Sequence, residues 1–376
     1  MAEGLRLKFV LIYGICCCLG YPKLVAQSES LQKELMALTD EYLRINPEAS
    51  GVIASVSYPN ATNWKYSPGH VGRDGNTPLS GNEKFIAASI TKTFVAACIL
   101  QQEEEGLLSL DDKVIQYLDE STIKNLTEYN GKSYEQELTL EHLLRHTSGI
   151  FDYLNKGQVH LNGYENDPER EYTLQERIDF ALELGAATHK LGKYGYSNTN
   201  YILLGMIAEK VDNANIADII ERRIIVPLGL KNTSLQPSDD VIPQMFKGYY
   251  TDWDLTKFTL HFNKMNPAGG ILTTTDDLTV FAQGLFRGKL FKSEATLPKM
   301  LDFKKGYGLG VMLFDKSKRT GRVMGHSGFD PGYTCYLTYL ENQDITVVTV
   351  INQSELVVTM PAFLIVKIVH LLKTGL

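Results

Sequence analysis

Ser89-Ile90-Thr91-Lys92 sets a hydroxyl three residues ahead of an amine. On a helix, positions i and i+3 share a face and reach each other. A serine hydroxyl is a weak nucleophile until a neighbouring base takes its proton. Lysine is that base only where desolvation or a positive dipole lowers its pKa. The flanks, Phe85-Ile86-Ala87-Ala88 and Phe94-Val95-Ala96-Ala97, are apolar and supply desolvation. The same spacing recurs at Ser30/Lys33 and Ser121/Lys124, both in polar surroundings. The chemistry on offer at Ser89 is acyl transfer by an activated serine; the plain alternative is a buried helix start.

Two distant triplets bear on that choice. Tyr196-Ser197-Asn198 follows Ser89 by 107 residues, and His326-Ser327-Gly328 follows Tyr196 by 130. With them the chain resembles the serine β-lactamase and penicillin-binding protein superfamily. The pattern is most like the class C β-lactamase and D-alanyl-D-alanine carboxypeptidase branch, whose second motif begins with tyrosine. Further stretches carry the resemblance: Gly106-Leu-Leu-Ser-Leu-Asp-Asp112, Leu143-Leu-Arg-His-Thr-Ser-Gly149, the continuation of the tyrosine motif to Gly205, and Gly325-His-Ser-Gly-Phe-Asp-Pro-Gly332. It runs from about residue 31 to the C-terminus.

The resemblance implies roles. Ser89 is the acylated nucleophile. Lys92 and Tyr196 handle protons, and which of them is the base stays open. Asn198 offers an amide to the substrate's own amide; its alternative is a turn residue ahead of a helix starting at Thr199. Ser327 donates to a substrate carboxylate, and His326 adds charge or a hydrogen bond. Gly328 lets the substrate backbone come close. The backbone amides of Ser89 and Phe329 form the oxyanion hole. β-Lactamases carry lysine where His326 stands, which shifts weight toward a peptidase or esterase. The expected activity is a serine hydrolase working through an acyl-enzyme on amide or ester bonds, in the manner of a D-Ala-D-Ala carboxypeptidase or β-lactamase. The alternatives are an esterase or D-aminopeptidase of the same superfamily, and a penicillin-binding sensor without catalysis. The expected partner is a small-molecule or peptide substrate. No cofactor is expected, and no His/Cys/Asp/Glu cluster has metal-ligand spacing.

Several look-alikes are set aside. Tyr-x-Asn also occurs at Tyr58, Tyr153 and Tyr164, of which Tyr153 stands nearest a plausible pocket. Lys373-Thr374-Gly375 reads as a helix C-terminus, with lysine in the last turn and glycine as the stop. Arg145-His146-Thr147-Ser148-Gly149 lacks the Gly-x-Ser-x-Gly of a nucleophile elbow. It reads as a helix end that sets Phe151-Asp152-Tyr153 near the cleft.

The elements that must position these groups follow from periodicity. Residues 51–58 alternate and read as a strand, with 61–71 as a hairpin partner. Helical signals dominate from 89 to about 239. Capping boxes stand at Ser109/Asp112 and Thr173/Glu176, and 200–211 has helical spacing. A further helix spans about 275–286. Strands are expected at 307–313, 333–340 and 345–351, with His326-Ser327-Gly328 on an inner strand among them. Residues 355–372 read as a helix on the sheet, with Pro361 in its first turn. Strands, helices, then strands predict an α+β fold. Residues 28–80 and 300–376 form a sheet domain, and 81–299 an inserted, mostly helical region. The resemblance implies an antiparallel sheet flanked by helices, β-lactamase/transpeptidase-like, with the active site in the cleft.

Composition bounds the rest. The 376 residues are 44% hydrophobic with net charge −7, and residues 27–376 carry −9. No basic stripe favours nucleic acid. Residues 1–26 read as a signal peptide: Arg6 and Lys8, then an apolar run at 9–19 that is too short to span a bilayer. Export to the periplasm or medium is expected, with a lipoprotein at Cys16–Cys18 as the lesser reading. No integral membrane span is expected. Cys98 and Cys335 read as buried small hydrophobes rather than a disulfide framework. Sequons stand at Asn60, Asn125, Asn232 and Asn352.

Overall fold

A computed structural model describes residues 29–59, 63–154, 166–185, 187–354 and 362–375. The signal segment, Asn60, Tyr164 and Pro361 lie outside the described residues.

Six strands make one antiparallel sheet. They are β1 (Val52–Ser57), β2 (Trp64–Tyr66), β3 (Met312–Ser317), β4 (Gly321–Asp330), β5 (Tyr333–Leu340) and β6 (Ile345–Ile351), in the order β2-β1-β6-β5-β4-β3. Antiparallel pairing of β1 with β6, Val52 opposite Ile351, joins the two ends of the chain. Beside that seam, Asn352 Oδ1 accepts from the N–H groups of Ser50 and Gly51. Its Nδ2 donates to Ser50 Oγ and Lys247 O. This sequon asparagine is fully buried and fully hydrogen-bonded.

Eight helices of eight or more residues occur among the described residues: α1 (Glu29–Ile45), α2 (Thr91–Glu104), α3 (Glu120–Thr127), α4 (Leu174–Leu184), α5 (Thr199–Asp212), α6 (Thr256–Asn263), α7 (Thr275–Phe286) and α8 (Phe363–Gly375). Alternation splits the sheet's side chains. Ala54, Val56, Val347 and Ile351 pack under α1 and α8 on one face. Ile53, Leu337, Val348 and Val350 enter the main core with α2, α5 and α7 on the other. So α7, within the 81–299 segment, packs on the sheet. Helix α2 is buried from Thr91 to Gln102, as a helix at the centre of a fold must be. Thr173 and Glu176 form the expected reciprocal cap on α4. No helix of the described residues is long and apolar enough to cross a membrane. Cys98 and Cys335 are free and buried.

One expected strand is corrected. Residues 307–311 are not strand; β3 begins at Met312. Gly306 and Gly310 take positive φ, +83° and +70°. The run is instead a loop hooked against α2, where Thr93 Oγ1 donates to Gly310 O at 2.7 Å.

Candidate active site

The nucleophile candidate sits on a strained turn. Phe85–Ile86 pairs with Leu272–Thr273, and Ala87 N–H donates to Ile271 O at 2.7 Å. The chain then enters a 3₁₀ turn, Ala88–Ile90, that runs directly into α2. Ala88 has φ +49°, a region costly for a residue with a Cβ. This carries Ser89 out to a half-buried position while Ala88 and Ile90 stay buried. One helical step on, Lys92 is fully buried.

Lys92 Nζ has three partners: Ser89 Oγ at 2.9 Å, Asn198 Oδ1 at 2.7 Å and Ala268 O at 2.6 Å. The two carbonyl oxygens can only accept, so they claim two Nζ hydrogens in either charge state. A charged lysine turns its third hydrogen toward Ser89; a neutral one turns its lone pair there. The Asn198 amide is oriented by its far end, where Nδ2 donates to Asp152 at 2.9 and 3.2 Å. Burial pushes Lys92 down to about 7, while Asp152 and Asp330 pull the other way. Burial raises both carboxyls, Asp330 to about 7, and Lys92 opposes the rise in each.

Tyr196 stands beside this pair, its ring centroid 5.1 Å from Lys92 Nζ. Burial lifts its phenol well above 10, and a hydrogen bond with Ser89 offsets only part of that. Burial thus favours the protonated phenol of Tyr196 and the neutral amine of Lys92. Asn198 occupies the N-cap position of α5 but makes no side-chain cap bond. It does precede the helix that starts at Thr199, as the turn-residue alternative has it, and its amide is also engaged by Lys92 and Asp152.

His326 differs most from expectation. It is fully buried, and its Nδ1 lies 2.6 Å from Ser327 O, a pure acceptor. Nδ1 therefore carries the hydrogen, and Nε2 accepts from Tyr307 Oη at 3.0 Å. Tyr307 Oη in turn receives His146 Nε2–H at 3.2 Å. His146 Nδ1 accepts from Ser197 N–H at 3.2 Å. This one-way chain leaves both imidazoles neutral. Burial pushes His326 to about 3 and His146 well below its usual value, with charged Lys92 adding to both. Of the two contributions open to His326, charge or a hydrogen bond, burial disfavours the charge, and both ring nitrogens already have partners. Nitrogen-15 spectra of the histidine rings should show His326 as the neutral Nδ1–H tautomer from pH 5 to 8; an imidazolium signal in that range would contradict the chain. Tyr307→Phe strands two buried ring nitrogens, so denaturant melts should show a loss of about 1–3 kcal/mol.

Gly328 is tight for a different reason than expected. A Cβ there would stand 2.3 Å from Ala87 O and 2.5 Å from Cys335 Sγ. The glycine lets β4 lie against the nucleophile turn itself. Gly328→Ala should destabilise the fold by about 1–3 kcal/mol in a thermal melt, with Ser89 shifted. Ser327 lies on the opposite face from His326, and its Oγ donates only a long 3.6 Å contact to Met312 Sδ. Phe329 turns its ring onto Tyr336, centroids 5.7 Å apart. Strand β3 pairs with residues 321–325 of β4, so among the described residues 326–330 has a partner strand on the β5 side alone. The structure thus brings Ser89, Lys92, Tyr196 and Asn198 together and sets β4 against them. It joins His326 through Tyr307 to His146, whose Nδ1 accepts from Ser197 N–H beside Tyr196, and gives Ser327 Oγ no hydrogen bond to the four.

Sequence reasoning missed Tyr307, Asp330 and Ala268, and gave Asp152 no charge role. Asp330 lay inside a quoted motif; Tyr307 had no signal beyond an aromatic ring among glycines. Tyr153 is buried behind the site, where Asn266 Nδ2 donates to its hydroxyl. Among the described residues no group of His, Cys, Asp or Glu side chains could hold a metal ion.

The model of the family described as Beta-lactamase matches residues 33–362. Penicillin-binding protein 4* of Bacillus subtilis (strain 168) is 30% identical over 315 residues, 78% of this chain and 66% of that protein. Beta-lactamase-like protein 2 of Dictyostelium discoideum is 28% identical over 291 residues, 71% and 49% of the two. The chain therefore spans from about half to just under two thirds of the length of these relatives. Among solved structures, the D-amino acid amidase from Ochrobactrum anthropi SV3 complexed with L-phenylalanine aligns with TM-score 0.76 and 23% identity, covering 92% of this chain and 99% of the other. That likeness is one of fold.

Proposed function

Because the chain belongs to the Beta-lactamase family, we propose that it is a serine hydrolase that cleaves amide or ester bonds through an acyl-enzyme at Ser89. The observation that carries this is the buried amine of Lys92, 2.9 Å from Ser89 Oγ and anchored by two obligate acceptors. Neutral Lys92 takes the Oγ proton as Oγ bonds to the substrate carbonyl carbon. The backbone amides of Ser89 and Phe329 receive the oxyanion. The carbon–nitrogen or carbon–oxygen bond breaks as Tyr196 gives its proton to the leaving group, and the Lys92 ammonium restores the phenol. Water then attacks the ester along the same proton path.

The substrate class we favour is a small amide, ester or peptide containing a D-amino acid. A D-Ala-D-Ala carboxypeptidase must meet a substrate carboxylate; Ser327 can donate to it, but the buried neutral imidazole of His326, with both nitrogens engaged, adds no charge there. An amidase, esterase or aminopeptidase asks for no such charge. Ser327 and the free edge of β4 at 326–330 would hold the substrate backbone. Export belongs to the same proposal and rests on the basic and apolar runs of residues 1–26. Turnover of p-nitrophenyl esters, D-amino-acid amides, cephalosporins and D-Ala-D-Ala peptides by the purified protein tests the reading. Hydrolysis of none of the four would overturn it.

A further inference from the structure

Asp152 is a carboxylate in an unusual position. It is half-buried at the site. Its hydrogen bonds come from Asn198 Nδ2, from Leu154 N–H at 3.2 Å and from the Asn198 backbone N–H. Among the described residues no lysine, arginine or histidine pairs with it directly, and Lys92 reaches it only across the Asn198 amide. A carboxylate offers about four acceptor sites, so capacity for another donor remains. Its distance from the chemistry is one side chain: Asn198 touches both Asp152 and Lys92, and Lys92 touches Ser89 Oγ.

We propose that Asp152 determines specificity by binding the protonated amine of a substrate whose acyl part is an amino acid with a free α-ammonium, and that this pairing frees Lys92 to act as base. The inference rests on Ser89 being the nucleophile. Its electrostatic half follows from what faces Lys92. Asp152 and Asp330 favour the charged amine, His146 and His326 are neutral, and Tyr196 and Tyr201 are phenols held protonated by burial. A cation seated on Asp152 cancels one of the two carboxylates and adds a like charge nearby. Both changes drive the Lys92 proton off. The empty site holds its base partly protonated; the right substrate deprotonates it on arrival. An N-acylated substrate brings no such charge.

The test compares alanine p-nitroanilide with N-acetylalanine p-nitroanilide, each as both enantiomers, on the full chain. In the wild-type protein kcat/KM should favour the free amine by about tenfold or more at pH 7. For the free amine, the acidic limb of kcat should lie about one pH unit below that of kcat/KM; for the N-acetyl compound the two should coincide. Asp152→Asn should bring the preference ratio to about one, and Asp152→Glu should recover part of it. A wild-type ratio of one or less overturns the inference whether or not the variants fold, and so does a ratio that Asp152→Asn leaves unchanged. Fluorophosphonate labelling separates the two levels. Labelling at Ser89 with a ratio of one sinks the role of Asp152 and leaves the hydrolase standing, whereas absence of labelling and of all turnover sinks both.

Discussion

Replacing Ser89 by alanine should abolish covalent labelling by a fluorophosphonate and lower turnover by roughly 10⁴–10⁶. The prediction is specific because the three rival serines, Ser148, Ser30 and Ser121, are otherwise engaged. Ser148, the tempting rival beside His146, is buried and donates to Asn200 Oδ1 at 2.6 Å. Ser30 Oγ faces Glu34 on the exposed side of α1, and Ser121 Oγ donates to Asp119 at the start of α3. Neither hydroxyl has a lysine as its hydrogen-bond partner among the described residues, whereas Ser89 Oγ has Lys92 Nζ at 2.9 Å. Stability should change little, since Ser89 is half-buried and Lys92 keeps both carbonyl acceptors in the variant. Mass spectrometry of the labelled protein reads the outcome, and an adduct that persists at another serine in Ser89→Ala would end the assignment.

What could be read ahead of the structure divides along a physical line. Strands 333–340 and 345–351 and helix 275–286 were legible to the residue, because each is a long apolar or strongly periodic run and burial on the sheet rewards that pattern. The loop at 307–311 was not. Its alternation of glycine with larger residues imitates a strand, while the positive φ values that make it a hook depend on packing against α2. The site divides the same way. Ser89, Lys92, Tyr196 and Asn198 announce themselves by type and spacing. His326 is named by its motif, but whether it offers charge or a hydrogen bond is not. Spacing cannot say that Tyr307, nineteen residues earlier, supplies its hydrogen bond, nor that alternation turns the ring inward. Long-range electrostatics were the hidden part: the two carboxylates that oppose the burial of Lys92 come from a loop after residue 149 and from the end of β4. Ala88 is the sharpest example. Nothing in Phe85-Ile86-Ala87-Ala88 foretells a left-handed alanine, and yet that one dihedral lifts the nucleophile out of the core.

The pH profile decides what Lys92 does, because the two roles open to it have opposite signs. If the amine is the base, the active form is the neutral one. Burial sets its pKa at about 7, so kcat/KM should fall about tenfold for each pH unit below that and level off above it. If Lys92 only orients the substrate by its charge, activity should instead decline as pH rises through 7. The first profile is expected. Lys92→Met keeps the length of the chain and removes the amine, and it should lower the acylation rate by about 10²–10⁴. It also leaves Asn198 Oδ1 and Ala268 O without this donor, at about 1–3 kcal/mol each, partly offset by relief from burying a charge. Lys92→Arg keeps a cation that cannot deprotonate, so it should be as slow as Lys92→Met and show no limb near 7. Asp330→Asn supplies the control. Where ionised, its carboxylate favours the charged amine, so its loss should move the acidic limb to lower pH. A limb that stays in place, or moves upward, would show that the group titrating in the profile is not the amine flanked by these two carboxylates.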